Sequence, residues 1–132
     1  MKQLFLSAIL ALTVSSCSKG ISYSDYVKSM LAGKTWFLDY TMQGDQTKSF
    51  IGKSTYFIQF TNNGTTSDSD GLIGNFTIEE NNKICSIMVN VVTQNGSPAT
   101  YTYQIEQIGS DNLIVSYLMD GKSIKKIFST TH

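Results

Sequence analysis

The stretch KTWFLDYTM, residues 34–42, decides the fold class, because its large apolar side chains stand at every second position. They are Trp36, Leu38, Tyr40 and Met42. Successive side chains of a β-strand point to opposite faces, so this spacing predicts a strand that buries one face.

The same period of two recurs along the rest of the chain, between segments that favour turns. The alternating segments lie at residues 36–42, 56–60, 72–78, 85–91, 101–105, 113–119 and 124–128. Asn63-Gly64, Asn95-Gly96 and Asp120-Gly121 are typical of tight hairpins. Asn81-Asn82 predicts a further turn. The pattern predicts seven strands, or eight if TKSFI, residues 47–51, also pairs.

Strands joined by such short connections are antiparallel neighbours in an up-and-down order. A sheet of this length can close into a barrel, which removes its exposed edges. A β-sandwich is the alternative, and it requires a long crossover. Only residues 43–53 and 62–71 are long enough to provide one. We therefore predict an all-β antiparallel barrel of seven to eight strands.

Residues 24–33 form the only predicted helix. Ser24 is its expected N-cap and Gly33 its expected end. Four apolar side chains lie at helical spacing on one face. They are Tyr26, Val27, Met30 and Leu31. A helix this short is not stable alone, so this face is expected to pack on the barrel.

Residues 1–16 have the pattern of an export signal, with Lys2 followed by an apolar run too short to span a bilayer. Val14-Ser15-Ser16-Cys17 resembles a bacterial lipobox, in which the cysteine thiol takes a diacylglycerol. We expect lipidated Cys17 to begin a tether, residues 17–22, that anchors the protein to the cell envelope. The periplasmic side of the outer membrane is favoured, with surface exposure as the alternative.

Residues 23–132 are a typical size for one domain. Ten basic and ten acidic residues balance, so the chain lacks the positive field that nucleic acid requires. Lipidation of Cys17 leaves Cys85 as the only thiol, which excludes an internal disulfide. Cys85 alternates with Ile87 and Val89 and is expected in the core.

The segment LAGKTWFLDY, residues 31–40, resembles the opening of bacterial lipocalin-like lipoproteins. In that family a short helix leads through a Leu-x-Gly motif, here ending at Gly33, into a first strand whose tryptophan closes one end of the barrel. The resemblance gives Trp36 this structural role. It also implies a basic side chain of the last strand over the tryptophan in a cation-π contact. Lys125 and Lys126 are the candidates, and Lys126 is the one in register with Ile124 and Phe128.

A lipocalin-like barrel has room for packed side chains or for one small ligand. The aromatic side chains expected to line it are Tyr40, Tyr56, Phe60, Phe76, Tyr101, Tyr103 and Tyr117. Apolar walls with a few hydroxyls are typical of small-molecule sites, so we predict an apolar or amphipathic ligand. The alternative is a solid barrel that contacts a protein partner through residues 43–53 and 62–71, with Phe50 and Ile51 at the contact.

The sequence predicts no enzyme, metal site or cofactor. Asp68 and Asp70 resemble part of a calcium loop, but Thr77 stands where such a loop needs a glutamate. His132, the single histidine, is the last residue. No pair of residues has the pattern of a nucleophile and its base, and no glycine-rich phosphate loop is present.

Overall fold

The structure, a computed structural model, describes residues 22–44, 46–49, 56–93 and 95–131. One helix, α1, spans Tyr23–Leu31. The strands are β1 (Lys34–Gln43), β2 (Gln46–Ser49), β3 (Phe57–Phe60), β4 (Thr65–Asp68), β5 (Ile73–Asn81), β6 (Ile84–Val92), β7 (Pro98–Ile108), β8 (Asn112–Met119) and β9 (Lys122–Ser129). The predicted signal peptide, lipidated Cys17 and most of the tether lie outside the described residues.

The strands form a closed, antiparallel, up-and-down barrel, which confirms the predicted fold class and rules out the sandwich. β3 to β9 pair in chain order, and β9 returns to pair with β1. The first half of β1 pairs with β3 and its second half with β2, so β2 and β3 share one place in the wall. Eight strand positions therefore encircle the barrel. β2 is the optional strand of the prediction, although Phe50 and Ile51 lie outside the described residues.

Several hairpins connect through residues with positive φ, as tight antiparallel turns require. Asp120-Gly121 joins β8 to β9, as predicted. The turn between β5 and β6 falls on Asn82 and Lys83, which have φ of 51° and 67°. It lies one residue beyond the predicted Asn81-Asn82, because Asn81 still pairs with Ile84 in the ladder.

A β-bulge in β1 corrects the predicted alternation. Leu38 pairs with Phe128, but Tyr40 pairs with Ile127, so Asp39 is the extra residue. An extra residue moves every later side chain to the other face. Tyr40 therefore points outward and is 45% exposed, and its prediction as an interior residue is wrong.

Helix α1 begins two residues earlier than predicted, because its N-cap is Ser22 and not Ser24. Ser22 is the N-cap, and its Oγ accepts a hydrogen bond of 3.2 Å from the Asp25 amide. Gly33 follows the helix with φ of 78°, as expected of a residue just past a helix end. Val27 and Leu31 are fully buried, whereas Tyr26 is 40% exposed, so the packed face is narrower than predicted.

One end of the barrel is closed by α1 and Trp36. The indole Nε1 of Trp36 donates a hydrogen bond of 3.0 Å to the Leu31 carbonyl, and the ring is fully buried. Cys85 lies in the same core, as predicted. Within the described part of the chain, no helix is long and apolar enough to cross a membrane.

Candidate functional site

The closed half of the barrel is solid. The Phe60 and Phe76 rings meet edge to face at 5.0 Å, and Ile87, Leu113 and Phe128 fill the space beside them. A small gap beside Phe60, Ile87, Leu113 and Phe128 measures only about 20 Å³. This half of the interior has no room for a ligand.

The open half contains a cavity of about 170 Å³. Its lining in the described residues is Tyr56, Ile58, Thr66, Ser67, Asp68, Asp70, Leu72, Val89, Val91, Tyr101, Tyr103 and Lys126. These side chains come from the ends of β3, β4, β6 and β7 that face away from α1, together with β9 and the turn between β4 and β5. Aliphatic and aromatic walls with a few polar groups are typical of small-molecule sites.

Five of the seven predicted lining residues divide into three groups. Tyr56, Tyr101 and Tyr103 line the cavity. Tyr117 lies behind them, with its ring edge to face against Tyr103 at 5.4 Å. Phe60 borders only the small inner gap.

Phe76 belongs to the closed half instead of the cavity wall. It is 4% exposed and packs within the core, on the same face as Val89. Phe76 is therefore a core residue here, and its contact with a ligand stays a prediction. Alternation identifies the inward face of a strand, but it does not say at which depth of the barrel a residue lies.

The turn between β4 and β5 is organised by Asp68. Its Oδ1 accepts hydrogen bonds of 3.0 Å from the amides of Asp70 and Leu72, and its Oδ2 accepts one of 3.2 Å from the Tyr56 hydroxyl. The Asp68 carboxylate thus closes the turn and positions a tyrosine of the cavity. Burial, and then the neighbouring Asp68 charge, raises the pKa of Tyr56 well above its usual value.

Lys126 lies inside the barrel, and its predicted contact with Trp36 is wrong. Its Nζ is 5.4 Å from the centroid of the Tyr56 ring and 5.5 Å from that of Tyr117. The cation over Trp36 is Lys34, at 5.6 Å from the centroid, and its Nζ also donates to the Ser110 carbonyl at 2.8 Å. Lys126 faces inward as expected. It lies two residues before Phe128 on β9, and at this position its side chain borders the cavity, whereas Phe128 packs in the closed half.

Burial governs the protonation of the groups around the cavity. It lowers the pKa of Lys126, an effect that Asp70 and then Asp68 oppose. Burial also raises the pKa of Tyr103 to about 12, with a further contribution from Tyr117. The cavity wall therefore combines the buried phenols of Tyr56 and Tyr103 and one desolvated amine with the carboxylates of Asp68 and Asp70.

The described residues contain no group of three or more histidine, cysteine, aspartate or glutamate side chains that could hold a metal ion. Asp68 and Asp70, which resembled part of a calcium loop in the sequence, are joined by the turn hydrogen bond from the Asp70 amide.

No protein-family model matches the chain, and no curated protein matches it in sequence. Among solved structures, the chain is similar to a lipocalin-like protein from Bacteroides uniformis ATCC 8492. The TM-score is 0.57 at 20% identity, over 77% of this chain and 99% of the other. This similarity shows that the fold is lipocalin-like.

Proposed function

We propose that this protein binds one small amphipathic molecule in the open half of its barrel and carries out no reaction on it. The observation that supports the proposal is the contrast between the two halves. Side chains fill the closed half, whereas the open half keeps a cavity of about 170 Å³ beneath the mouth. A barrel used only as a rigid scaffold has no need of such a cavity.

The size and lining of the cavity indicate the kind of ligand. An apolar cavity of about 150 Å³ is large enough to bind benzene, so this one, which opens at the mouth, suits a single ring that carries a short chain. Leu72, Val89 and Val91 offer aliphatic contacts, and Tyr101 and Tyr103 offer ring faces. Burial of apolar surface would supply the affinity, and hydroxyl groups would set the orientation.

The proposal includes a lipid anchor at Cys17. Each buried methylene of an acyl chain contributes about 0.8 kcal/mol, so two or three chains hold a small domain on a membrane. Ser22 caps α1 at the closed end of the barrel. Residues 18–22 reach at most about 18 Å when extended, so the mouth would open on the side away from the lipid.

The anchor is tested separately from ligand binding. Cells that express the protein are labelled with radioactive palmitate, and a Cys17→Ser variant serves as the matched control. We expect label on the wild-type protein and none on the variant. Equal labelling of both proteins would remove Cys17 from the proposal.

A second candidate function is contact with a protein partner. It is supported by apolar side chains that point outward near the mouth, where Ile73 is 69% exposed and Leu118 is 77% exposed. Exposed apolar side chains mark an interaction surface when they form a contiguous patch, and Val92, beside Ile73 across the β5–β6 pair, is 59% exposed. In this case the barrel would only hold in place the exposed side chains near the mouth that contact the partner.

Native mass spectrometry of the protein purified from its own host separates the two candidates. A bound small molecule, released on collisional activation, is the result that we expect. A protein of unliganded mass that co-purifies in stoichiometric amounts with another chain would favour the partner function instead.

A further inference from the structure

We propose that the ligand is an organic anion, a small aryl or alkyl carboxylate, and that the Lys126 ammonium binds its carboxylate at the inner end of the cavity. This inference rests on the proposed function and specifies the chemistry of the ligand.

The first step is the position of Lys126. It borders both the mouth cavity and the small inner gap, as do Tyr56, Ile58 and Tyr103. Lys126 therefore lies at the inner boundary of the cavity, and its amine reaches the rings of Tyr56 and Tyr117. A head group at this depth would leave the apolar part of the ligand beside Leu72 and Val91.

The second step is what the amine contacts. An ammonium group has three donor hydrogens and no acceptor. The Lys126 Nζ contacts the ring faces of Tyr56 and Tyr117. Within the part of the chain that the structure describes, no carboxylate forms an ion pair with it. Ring faces attract the charge but accept no strong hydrogen bond. The donors therefore remain available to a carboxylate, which would form the short, charge-assisted bonds typical of such pairs.

The third step is that neither nearby acid, Asp68 or Asp70, forms an ion pair with Lys126 among the described residues. Both oxygens of Asp68 accept hydrogen bonds, from two amides of its turn and from the Tyr56 hydroxyl. Asp70 is exposed on that turn. The Asp70 and Asp68 carboxylates favour the charged form of Lys126. Among the described residues, neither of them accepts a hydrogen bond from its ammonium group.

The carboxylates of Asp68 and Asp70 also line the cavity, so the opposite hypothesis is a cationic ligand that these two acids bind. The two hypotheses differ in the sign of the head group, so a series of ligands with one tail and three head groups distinguishes them. We choose 4-phenylbutanoate, 4-phenylbutan-1-ol and 4-phenylbutylamine, which carry a negative, a neutral and a positive head.

The experiment is isothermal titration calorimetry of each compound with the wild-type protein and with Lys126→Met. Lys125→Met is the matched control, because Lys125 is the neighbouring lysine of β9 and its side chain is exposed on the outer face. We expect the wild-type protein to bind the carboxylate about tenfold more tightly than the alcohol, with the amine weakest. Lys126→Met should remove the preference for the carboxylate and keep the affinity for the alcohol, whereas Lys125→Met should change neither.

The outcomes separate this inference from the proposed function. Equal affinity for carboxylate and alcohol, or tighter binding of the amine, would overturn the role of Lys126 while the binding function stands. Absence of binding for all three compounds would count against the proposed function itself, and the inference would fall with it. Loss of alcohol binding in Lys126→Met, with the fold intact by circular dichroism, would show that the residue shapes the cavity instead of recognising charge.

Discussion

The indole Nε1 of Trp36 donates a hydrogen bond of 3.0 Å to the carbonyl oxygen of Leu31, five residues earlier in the chain. Leu31 ends α1, and Trp36 lies in β1. The bond therefore ties the helix to the barrel, and both side chains are fully buried. This contact closes the end of the barrel that lies opposite the cavity.

Replacement of Trp36 by Phe should destabilise the protein without abolishing ligand binding. The variant leaves the buried Leu31 carbonyl without its donor, which typically costs about 1–3 kcal/mol. Urea unfolding measures the change in the free energy of unfolding, and titration with 4-phenylbutan-1-ol measures the affinity. An unchanged unfolding midpoint would show that the bond is not a source of stability.

Gly74 is expected to tolerate no larger residue, because β5 and β6 approach closely there. A Cβ atom at this position would lie 1.9 Å from the Asn90 carbonyl oxygen, which belongs to the neighbouring strand. Gly74→Ala should therefore cost about 3 kcal/mol or more through forced movement of the backbone. Thermal unfolding measures the loss.

The matched control for Gly74→Ala is Thr77→Ala, on the exposed face of the same strand. This surface change should stay within about 0.5 kcal/mol. Similar losses in the two variants would contradict the steric explanation.

A large side chain at Val89 should block the cavity. Val89 is 4% exposed and lines the cavity wall, whereas Val92 lies on the outer face of the same strand. Val89→Trp should reduce the affinity for 4-phenylbutan-1-ol by at least about tenfold, because it occupies the space that the ring would take. Val92→Trp should leave the affinity unchanged.

Leu72→Trp, at the mouth of the cavity, provides a second block in case Val89→Trp does not fold. Circular dichroism checks each variant. Full affinity in both folded variants would place the ligand elsewhere.

Stability should fall at alkaline pH, partly because of Tyr103. Its pKa is raised from 10.0 to about 12 in the folded protein, mainly by burial. A raised pKa contributes stability that is present below the unfolded value and is lost as the pH rises through the folded value. The contribution of Tyr103 is therefore lost between pH 10.0 and about 12.

Urea unfolding of the wild-type protein and Tyr103→Phe at pH 9 and pH 11 measures this contribution. The lowered pKa of Lys126 acts in the opposite direction, and comparison with Tyr103→Phe cancels it because both proteins contain the lysine. The wild-type protein should lose more free energy of unfolding over this interval than the variant. Parallel losses would assign the alkaline effect to other groups.

The strand order and the inward faces were predictable from the sequence, because alternation and turn residues act locally. Asp120-Gly121 marks its hairpin, and Ile87, Val89 and Val115 face the core as their spacing indicates. The bulge at Asp39 was not predictable in this way. It depends on how β1 meets β9 when the barrel closes, and it moves Tyr40 to the outside.

The sequence pattern also could not predict how far each inward residue lies from the mouth of the barrel. Phe76 and Tyr101 both face inward, yet one lies in the packed half and the other at the mouth. The resemblance implies a lysine over Trp36, and the pattern does not show that Lys126 lies beside the cavity instead. A lysine at an inward position between Ile124 and Phe128 was nevertheless a signal of a polar interior, because a solid core would exclude it.

The most direct test of the account is a titration of 4-phenylbutanoate followed by NMR, with labelled methyl groups of isoleucine, leucine and valine. We predict that the signals of Leu72, Val89 and Val91 shift, and that those of Val27 and Leu31 at the closed end do not. Shifts confined to Ile73 and Leu118 on the outer rim, or no shifts at all at millimolar ligand, would contradict a binding site inside the barrel.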